Sequence, residues 1–174
     1  MNRGFIIDSH CHLDFDSLFF DLENILEKAK LSGVQKMLTI CTNFNQLERV
    51  KKICKHNRSL VYAAGIHPNQ PAEALYFDQR KLSNICKDKN LVGIGETGLD
   101  FHYSQKTKKQ QISSLIQHIE VAKEHNLPVI IHARGADDKI KEILTSEYKK
   151  GAFNCVMHCF SSSSYLADAM IELG

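Results

Sequence analysis

Short apolar runs alternate with amphipathic stretches along the chain. Six of the runs predict β-strands, because each is nearly continuous in apolar residues and has the length of a parallel strand buried on both faces. The predicted strands are 5–8, 35–41, 60–64, 91–95, 128–132 and 153–158.

The segments between the strands and after the last one predict helices, because their apolar residues recur at intervals of three and four. The clearest helix is marked by Ile112, Leu115 and Ile119 and is expected to begin near Gln105 and to end before Pro128. Apolar positions within 18–29, 47–54, 75–86, 140–144 and 166–173 mark the others.

Six βα units in a row imply parallel strands joined by right-handed crossovers, in a single α/β domain spanning residues 1–174. Two architectures fit this pattern: an open doubly wound sheet and part of a TIM-type (β/α)8 barrel. A complete barrel takes about 250 residues, so this chain is too short for eight units.

Composition and charge add few constraints. Lys and Arg number 22 and Asp and Glu number 20, so the formal net charge of +2 neither requires nor excludes a nucleic-acid partner. No apolar stretch approaches the roughly 20 residues of a membrane helix, and no signal peptide is recognisable. We therefore expect a cytoplasmic protein whose cysteines are reduced.

The strongest chemical signal follows the first predicted strand, where the sequence reads Asp8-Ser9-His10-Cys11-His12. Alternate residues of a strand point to one side, so His10 and His12 can face the same ion. Imidazole is the commonest protein ligand for zinc and similar metals. Asp8 is close enough to hold or polarise such a site.

Other strands end in the same way. Glu96, His132 and His158 each stand at the carboxyl end of a predicted strand, on the rim where parallel α/β folds bind ligands. Four imidazoles and one carboxylate exceed what a single tetrahedral ion needs. The sequence therefore predicts two divalent ions bridged by Glu96, an arrangement typical of phosphoester hydrolysis.

Two further rim residues bear on the substrate. His67 follows the third strand and could either ligate a metal or contact a phosphate. Arg134 lies two residues after His132, and its planar guanidinium suits a phosphate or a carboxylate.

Taken together, these segments resemble the TatD-type metal-dependent deoxyribonucleases, which are amidohydrolase-like barrels. The resemblance implies a TIM-type barrel, two divalent metals (Mg, Mn or Zn) and hydrolysis of DNA, single-stranded or from 3′ ends. It assigns His10 and His12 to one metal, His132 and His158 to the other, Glu96 to both, and His67 and Arg134 to the substrate phosphates. The matching motifs are DSHCHLD at 8–14, GIHP at 65–68, GETGLD at 95–100, PVIIH at 128–132 and MHCFS at 157–161.

The chain departs from the family pattern in two places. Gly135 stands where an acidic residue is usual, and the sequence stops before the last two βα units, the second of which carries a metal-binding aspartate. An incomplete barrel would expose unpaired edges. We therefore expect self-association through those edges and weak activity of the chain alone.

Two alternatives remain open at this point. The same metal centre could hydrolyse an ester or amide, as in an aminoacyl-tRNA deacylase, because an activated water attacks carbonyl carbon as well as phosphorus. The chain could also be a non-catalytic remnant.

Overall fold

The computed structural model describes residues 5–70, 74, 77–103 and 105–174. Within these ranges, six strands alternate with seven helices. The strands are β1 (Ile6–Cys11), β2 (Val34–Cys41), β3 (Leu60–Ala64), β4 (Leu91–Asp100), β5 (Val129–Arg134) and β6 (Cys155–Met157). The helices are α1 (Asp16–Phe19), α2 (Leu22–Leu31), α3 (Leu47–Lys55), α4 (Gln79–Ile85), α5 (Lys108–His125), α6 (Asp137–Lys150) and α7 (Ser164–Leu173).

The order of the strands decides between the two architectures left open above. All neighbouring strands are parallel, and the spatial order β1-β2-β3-β4-β5-β6 repeats the order in the chain. A doubly wound sheet would reverse this order at a switch point. The sequential order is that of a (β/α)8 barrel, of which six units are present.

Alternation along the strands separates two apolar clusters. Tyr62 and Ile131 belong to the main cluster, which packs the sheet against the helices. Ile40, Ala63 and Ile130 occupy intervening positions on their strands and form a smaller cluster. Since adjacent strand residues point to opposite faces, the smaller cluster lies on the other side of the sheet, the side that becomes the interior of a barrel.

β4 is longer than the predicted 91–95, because it continues through Glu96 to Asp100 and pairs there with β5. Gly95 is the last residue of the predicted strand and Gly98 lies beyond its predicted end, and both are strand residues at which β5 passes very close. A Cβ atom at Gly98 would collide with the carbonyl oxygen of His132. The absence of a side chain thus permits the close approach of two site-bearing strands.

The expectation that every strand is buried on both faces is wrong for the two outer strands. Ile6 and Ile7 of β1 and Val156 of β6 are 52–56% exposed, because each of these strands has a paired neighbour on one side only. β6 is also shorter than predicted, and β1 extends further, to Cys11.

The predicted helices are present with shifted ends. α5 begins at Lys108 rather than near Gln105, and Leu75 of the predicted third helix lies outside the described residues. Within the described ranges, no helix combines the length and the apolar character needed to cross a bilayer.

Candidate metal centre

Six chemically active side chains reach the carboxyl ends of the strands from five of the six βα units. His10 lies in β1 and His12 follows it, His67 follows β3, Glu96 lies in β4, His132 lies in β5 and His158 follows β6. Glu96 is the central member of this group, because four of the five imidazoles lie within 4.0 Å of its carboxylate.

The distances to Glu96 show how the rings surround it. Nδ1 of His132 lies 3.0 Å and Nε2 of His67 lies 3.5 Å from Oε1. Nε2 of His158 lies 4.0 Å from the same oxygen, and Nε2 of His10 lies 3.4 Å from Oε2. The two carboxylate oxygens therefore face different histidines, as a carboxylate that bridges two ions would.

Two sets of three ligand atoms are compact enough to hold a metal ion. One set comes from His10, His12 and Glu96 and the other from His67, Glu96 and His132, with all atoms of a set within 4.8 Å of one another. The sequence prediction placed His158 in the second set. In the structure the His158 ring stacks on His10, with ring centroids 3.5 Å apart and planes 7° apart.

The donor chemistry fits a divalent cation. Imidazole and carboxylate are the ligands that zinc and related ions take in proteins. Nε2 of His10 is buried and, although Oε2 of Glu96 lies 3.4 Å away, it has no partner in hydrogen-bonding geometry among the described residues. A buried polar atom of this kind normally has a partner, and a metal ion at this position would supply one.

Burial opposes ionisation of Glu96, which is only 3% exposed. The surrounding His10, His132 and His67 rings outweigh the effect of burial and hold the pKa of Glu96 well below its usual range. The carboxylate is thus charged before any metal arrives, which favours cation binding.

Hydrogen bonds on the outer side of the rings indicate which nitrogen carries the proton. Nδ1 of His12 lies 3.3 Å from the carbonyl oxygen of Ile40, and only a protonated nitrogen can donate to that oxygen. The lone pair of its Nε2 is therefore available to a ligand. In the neutral ring this assignment is the one expected for a metal-binding histidine.

His67 has the opposite arrangement. The backbone N–H of Asn69 donates to its Nδ1 over 3.1 Å, so the proton of the neutral ring lies on Nε2. Nε2 is also the atom that faces Glu96. In this state His67 offers the centre a hydrogen-bond donor rather than a lone pair.

A pocket of about 510 Å³ opens above the cluster. Arg134 lines this pocket, and its guanidinium carbon lies 4.6 Å from the centroid of the Tyr103 ring. Phe15, which stacks on His12 with centroids 4.7 Å apart, also lines it. The centre is thus open on one side, toward a pocket lined by a cationic and an aromatic side chain.

Sequence reasoning gave no role to two residues that hold the site together, Asp100 and Asn69. Asp100 is fully buried, and its Oδ2 accepts hydrogen bonds from Nε2 of His132 (3.1 Å) and Nδ2 of Asn69 (3.2 Å). For Asp100 the local sequence offers one signal that could have pointed to a role, a charged residue directly after buried residues of the strand. Asn69 sits in an irregular loop, and nothing in its local sequence points to the site.

Comparison with known proteins adds a family match. A family model described as TatD related DNase matches residues 7–174. The chain is 34% identical to the uncharacterized metal-dependent hydrolase YcfH of Escherichia coli (strain K12), over 98% of this chain and 64% of YcfH. It is 27% identical to the 3′-5′ ssDNA/RNA exonuclease TatD of Escherichia fergusonii, over 88% of this chain and 59% of that protein.

A solved structure supports the architecture as well. The crystal structure of YjjV, a TatD homologue from Escherichia coli K12, superposes with a TM-score of 0.88 at 29% identity, covering 97% of this chain and 65% of YjjV. This similarity confirms the predicted incomplete TIM-type barrel. The chain spans slightly less than two thirds of the length of YcfH and of YjjV.

Proposed function

Because this chain belongs to the TatD related DNase family, we propose that it is a metal-dependent hydrolase of nucleic-acid phosphodiester bonds, acting on DNA from the 3′ end. The observation that carries the proposal is the convergence of five imidazoles around the buried carboxylate of Glu96. The TatD exonuclease named above is a relative with a matching activity.

His10, His12 and Glu96, which form one compact set, would hold one divalent ion. Glu96 and His132 would hold the other, with His158 as the further ligand that the family resemblance implies and with Glu96 shared. Bound divalent ions activate water and neutralise the charge that develops on phosphoryl oxygens. Magnesium, manganese and zinc all suit a mixed set of imidazole and carboxylate ligands to different degrees.

We assign His67 to the substrate rather than to a metal, although its ring lies within the second compact set. The N–H of Asn69 occupies Nδ1, so Nε2–H points into the centre. An N–H donor stabilises a phosphate oxygen through a charge-assisted hydrogen bond, whereas it cannot coordinate a cation.

Arg134 is the second residue that we assign to the substrate. Its guanidinium lies on the pocket wall beside the ring of Tyr103. The planar fork of an arginine can hold two phosphate oxygens at once. Together with His67, it would orient the phosphodiester over Glu96.

The test is hydrolysis of end-labelled single-stranded DNA by an excess of the purified chain, with Mg²⁺, Mn²⁺ or Zn²⁺. An excess of protein makes even slow cleavage by this chain measurable. We expect release of nucleotides from the 3′ end that stops with chelator and in the Glu96→Gln variant, and that persists in the Glu124→Gln variant, whose carboxylate is exposed.

Two outcomes would contradict the proposal. Cleavage that is equally fast in Glu96→Gln would show that the hydrolysis does not use this centre. Turnover of aminoacyl-tRNA without any turnover of DNA would instead favour an ester hydrolase on the same centre, the alternative raised from the sequence.

A further inference from the structure

Asp100 is a fully buried carboxylate with four hydrogen-bond donors around it. The backbone N–H groups of His102 and Tyr103 each donate to Oδ1 over 3.1 Å. Oδ2 accepts from Nε2 of His132 and from Nδ2 of Asn69 over 3.1 and 3.2 Å. Because each oxygen has two donors at fixed positions, the carboxylate group has one favourable orientation.

The backbone of Asp100 is fixed as well. Gln111 of α5 is buried, and its Nε2 donates to the carbonyl oxygen of Asp100 while its Oε1 accepts from the Asp100 N–H, over 3.2 and 2.8 Å. A side-chain amide that pairs with both backbone groups of one residue holds the end of β4 in place.

The contact with the Asp100 carboxylate determines which nitrogen of the His132 ring carries a proton. An ionised carboxylate only accepts hydrogen bonds, so the ring nitrogen that faces Asp100 must carry a proton. That nitrogen is Nε2. Because Nε2 keeps its proton for Asp100, Nδ1, which lies 3.0 Å from Oε1 of Glu96, is the ring nitrogen that can give up its proton and offer a lone pair to a metal.

We propose that Asp100 is a positioning residue, which fixes His132 with its proton on Nε2 so that Nδ1 is the atom offered to the metal. This inference rests on the metal centre of the proposed function and adds a residue outside the ligand set. Carboxylates that accept the second N–H of a ligating histidine orient the ring and raise its basicity.

Asn69 connects this pair to His67. Its side chain donates to Asp100, and its backbone N–H donates to Nδ1 of His67. One chain of hydrogen bonds thus runs from His67 through Asn69 and Asp100 to His132. Its two end rings present different atoms to the centre, Nε2–H from His67 and a lone pair on Nδ1 from His132.

The first test is the Asp100→Asn variant, which keeps the shape of the side chain and removes its charge. If the amide oxygen continues to accept from His102 and Tyr103, its NH₂ group faces Nε2–H of His132, and two donors meet. We expect a 10- to 100-fold loss of Zn²⁺ affinity, measured by competition with a chelator, the range seen when such partners of metal ligands are changed.

The matched control is Asp88→Asn. Asp88 also accepts a hydrogen bond from a ring side chain, the hydroxyl of Tyr62 at 3.0 Å, but it is not in the Glu96 cluster. We expect its Zn²⁺ affinity to equal that of the wild type. Circular dichroism of both variants shows whether they keep the wild-type fold.

The second test reads the His132 ring directly, and its first part uses only the wild-type protein. Nitrogen-15 NMR of the Zn²⁺-loaded chain should show His132 coordinated through Nδ1 with a proton on Nε2, and Asp100→Asn should alter that signature. A purely structural role of Asp100 would change stability without changing which nitrogen is protonated.

The outcomes separate this inference from the proposed function. Zn²⁺ binding that depends on Glu96 but is as tight in Asp100→Asn as in Asp88→Asn overturns the role of Asp100 alone. Coordination of wild-type His132 through Nε2 also overturns it alone. Failure of the wild-type chain to bind Zn²⁺ at all overturns both proposals.

Discussion

The candidate centre draws its side chains from two regions of the sheet that differ in packing. The inner strands β3, β4 and β5, together with the loop that carries His67, form the inner region, and their core residues such as Tyr62, Ile94 and Ile131 are fully buried. The outer strands β1 and β6, which carry or precede His10, His12 and His158, form the outer region, where Ile7 is 56% exposed.

Apart from His12, whose ring is held by a hydrogen bond to the Ile40 carbonyl oxygen, the rings of the two regions are held differently. His132 and His67 are fixed by hydrogen bonds to Asp100 and Asn69. His158 stacks on His10, and its backbone N–H donates to Ile131 over 2.9 Å. The candidate centre thus combines rings that are oriented before a metal binds with rings that are carried by less tightly packed strands.

The largest expected effect concerns stability. Ile94 of β4 is fully buried and Ile7 of β1 is 56% exposed, so the same substitution probes both regions. Ile94→Ala should lower the free energy of unfolding by about 2–5 kcal/mol, and Ile7→Ala by about 0.5 kcal/mol or less. Chemical denaturation measures both, and equal losses would show that the regions are packed alike.

The second prediction concerns the pH dependence of stability. It rests on His118 of α5, which is fully buried and forms hydrogen bonds next to the inner region. Nδ1 donates to the Ser114 carbonyl oxygen over 2.7 Å, and Nε2 accepts from the N–H of Ile66, the residue before His67. Burial lowers the pKa of His118 to about 4.

The sign of the pH effect follows from this pKa. Below pH 6.5 the unfolded chain binds a proton at His118, whereas the folded chain binds it only near pH 4. The free energy of unfolding therefore falls as the pH falls through this window. Between pH 7 and pH 5 the wild type should lose about 2 kcal/mol more than His118→Gln, which does not titrate. Parallel urea titrations at the two pH values measure this difference, and equal losses would contradict it.

A third prediction compares ligands from the two regions. His132→Ala should weaken Zn²⁺ binding by about tenfold or more, because the ring it removes is oriented before the ion binds. His158→Ala should have a smaller effect, since its ring is held mainly by stacking. Chelator competition measures the Zn²⁺ affinity of the two variants. A larger loss of affinity in His158→Ala would contradict the view that His132 is the better oriented ligand.

The sequence predicted the six strands and the side chains at their carboxyl ends, because parallel strands and a shared rim follow from local patterns. It did not predict that Gly98 lies within β4, since a close approach to β5 is a contact between distant segments. For the same reason it did not assign Asn69, whose side chain donates to Asp100, 31 positions away in the sequence. The exposure of β1 depends on how many neighbours a strand has, which apolar content alone does not encode.

The smallest effect on stability concerns the outer strands themselves. We expect the exposed apolar residues Ile7 and Val156 to cause self-association, which the sequence predicted and which sedimentation at increasing concentration can detect. Ile7→Lys with Val156→Lys should reduce it and change the folding free energy little. Leu31→Lys, at the end of α2 and 72% exposed, is the control that should leave the association unchanged.

We propose that Glu96 and the surrounding imidazoles form one centre for two divalent ions. Anomalous diffraction from crystals grown with Mn²⁺ would locate these ions. We expect two peaks about 3.5–4 Å apart, both within coordination distance of the Glu96 carboxylate, with His10 and His12 at one and His132 at the other. A single peak that does not touch Glu96, or peaks only at other carboxylates, would contradict it.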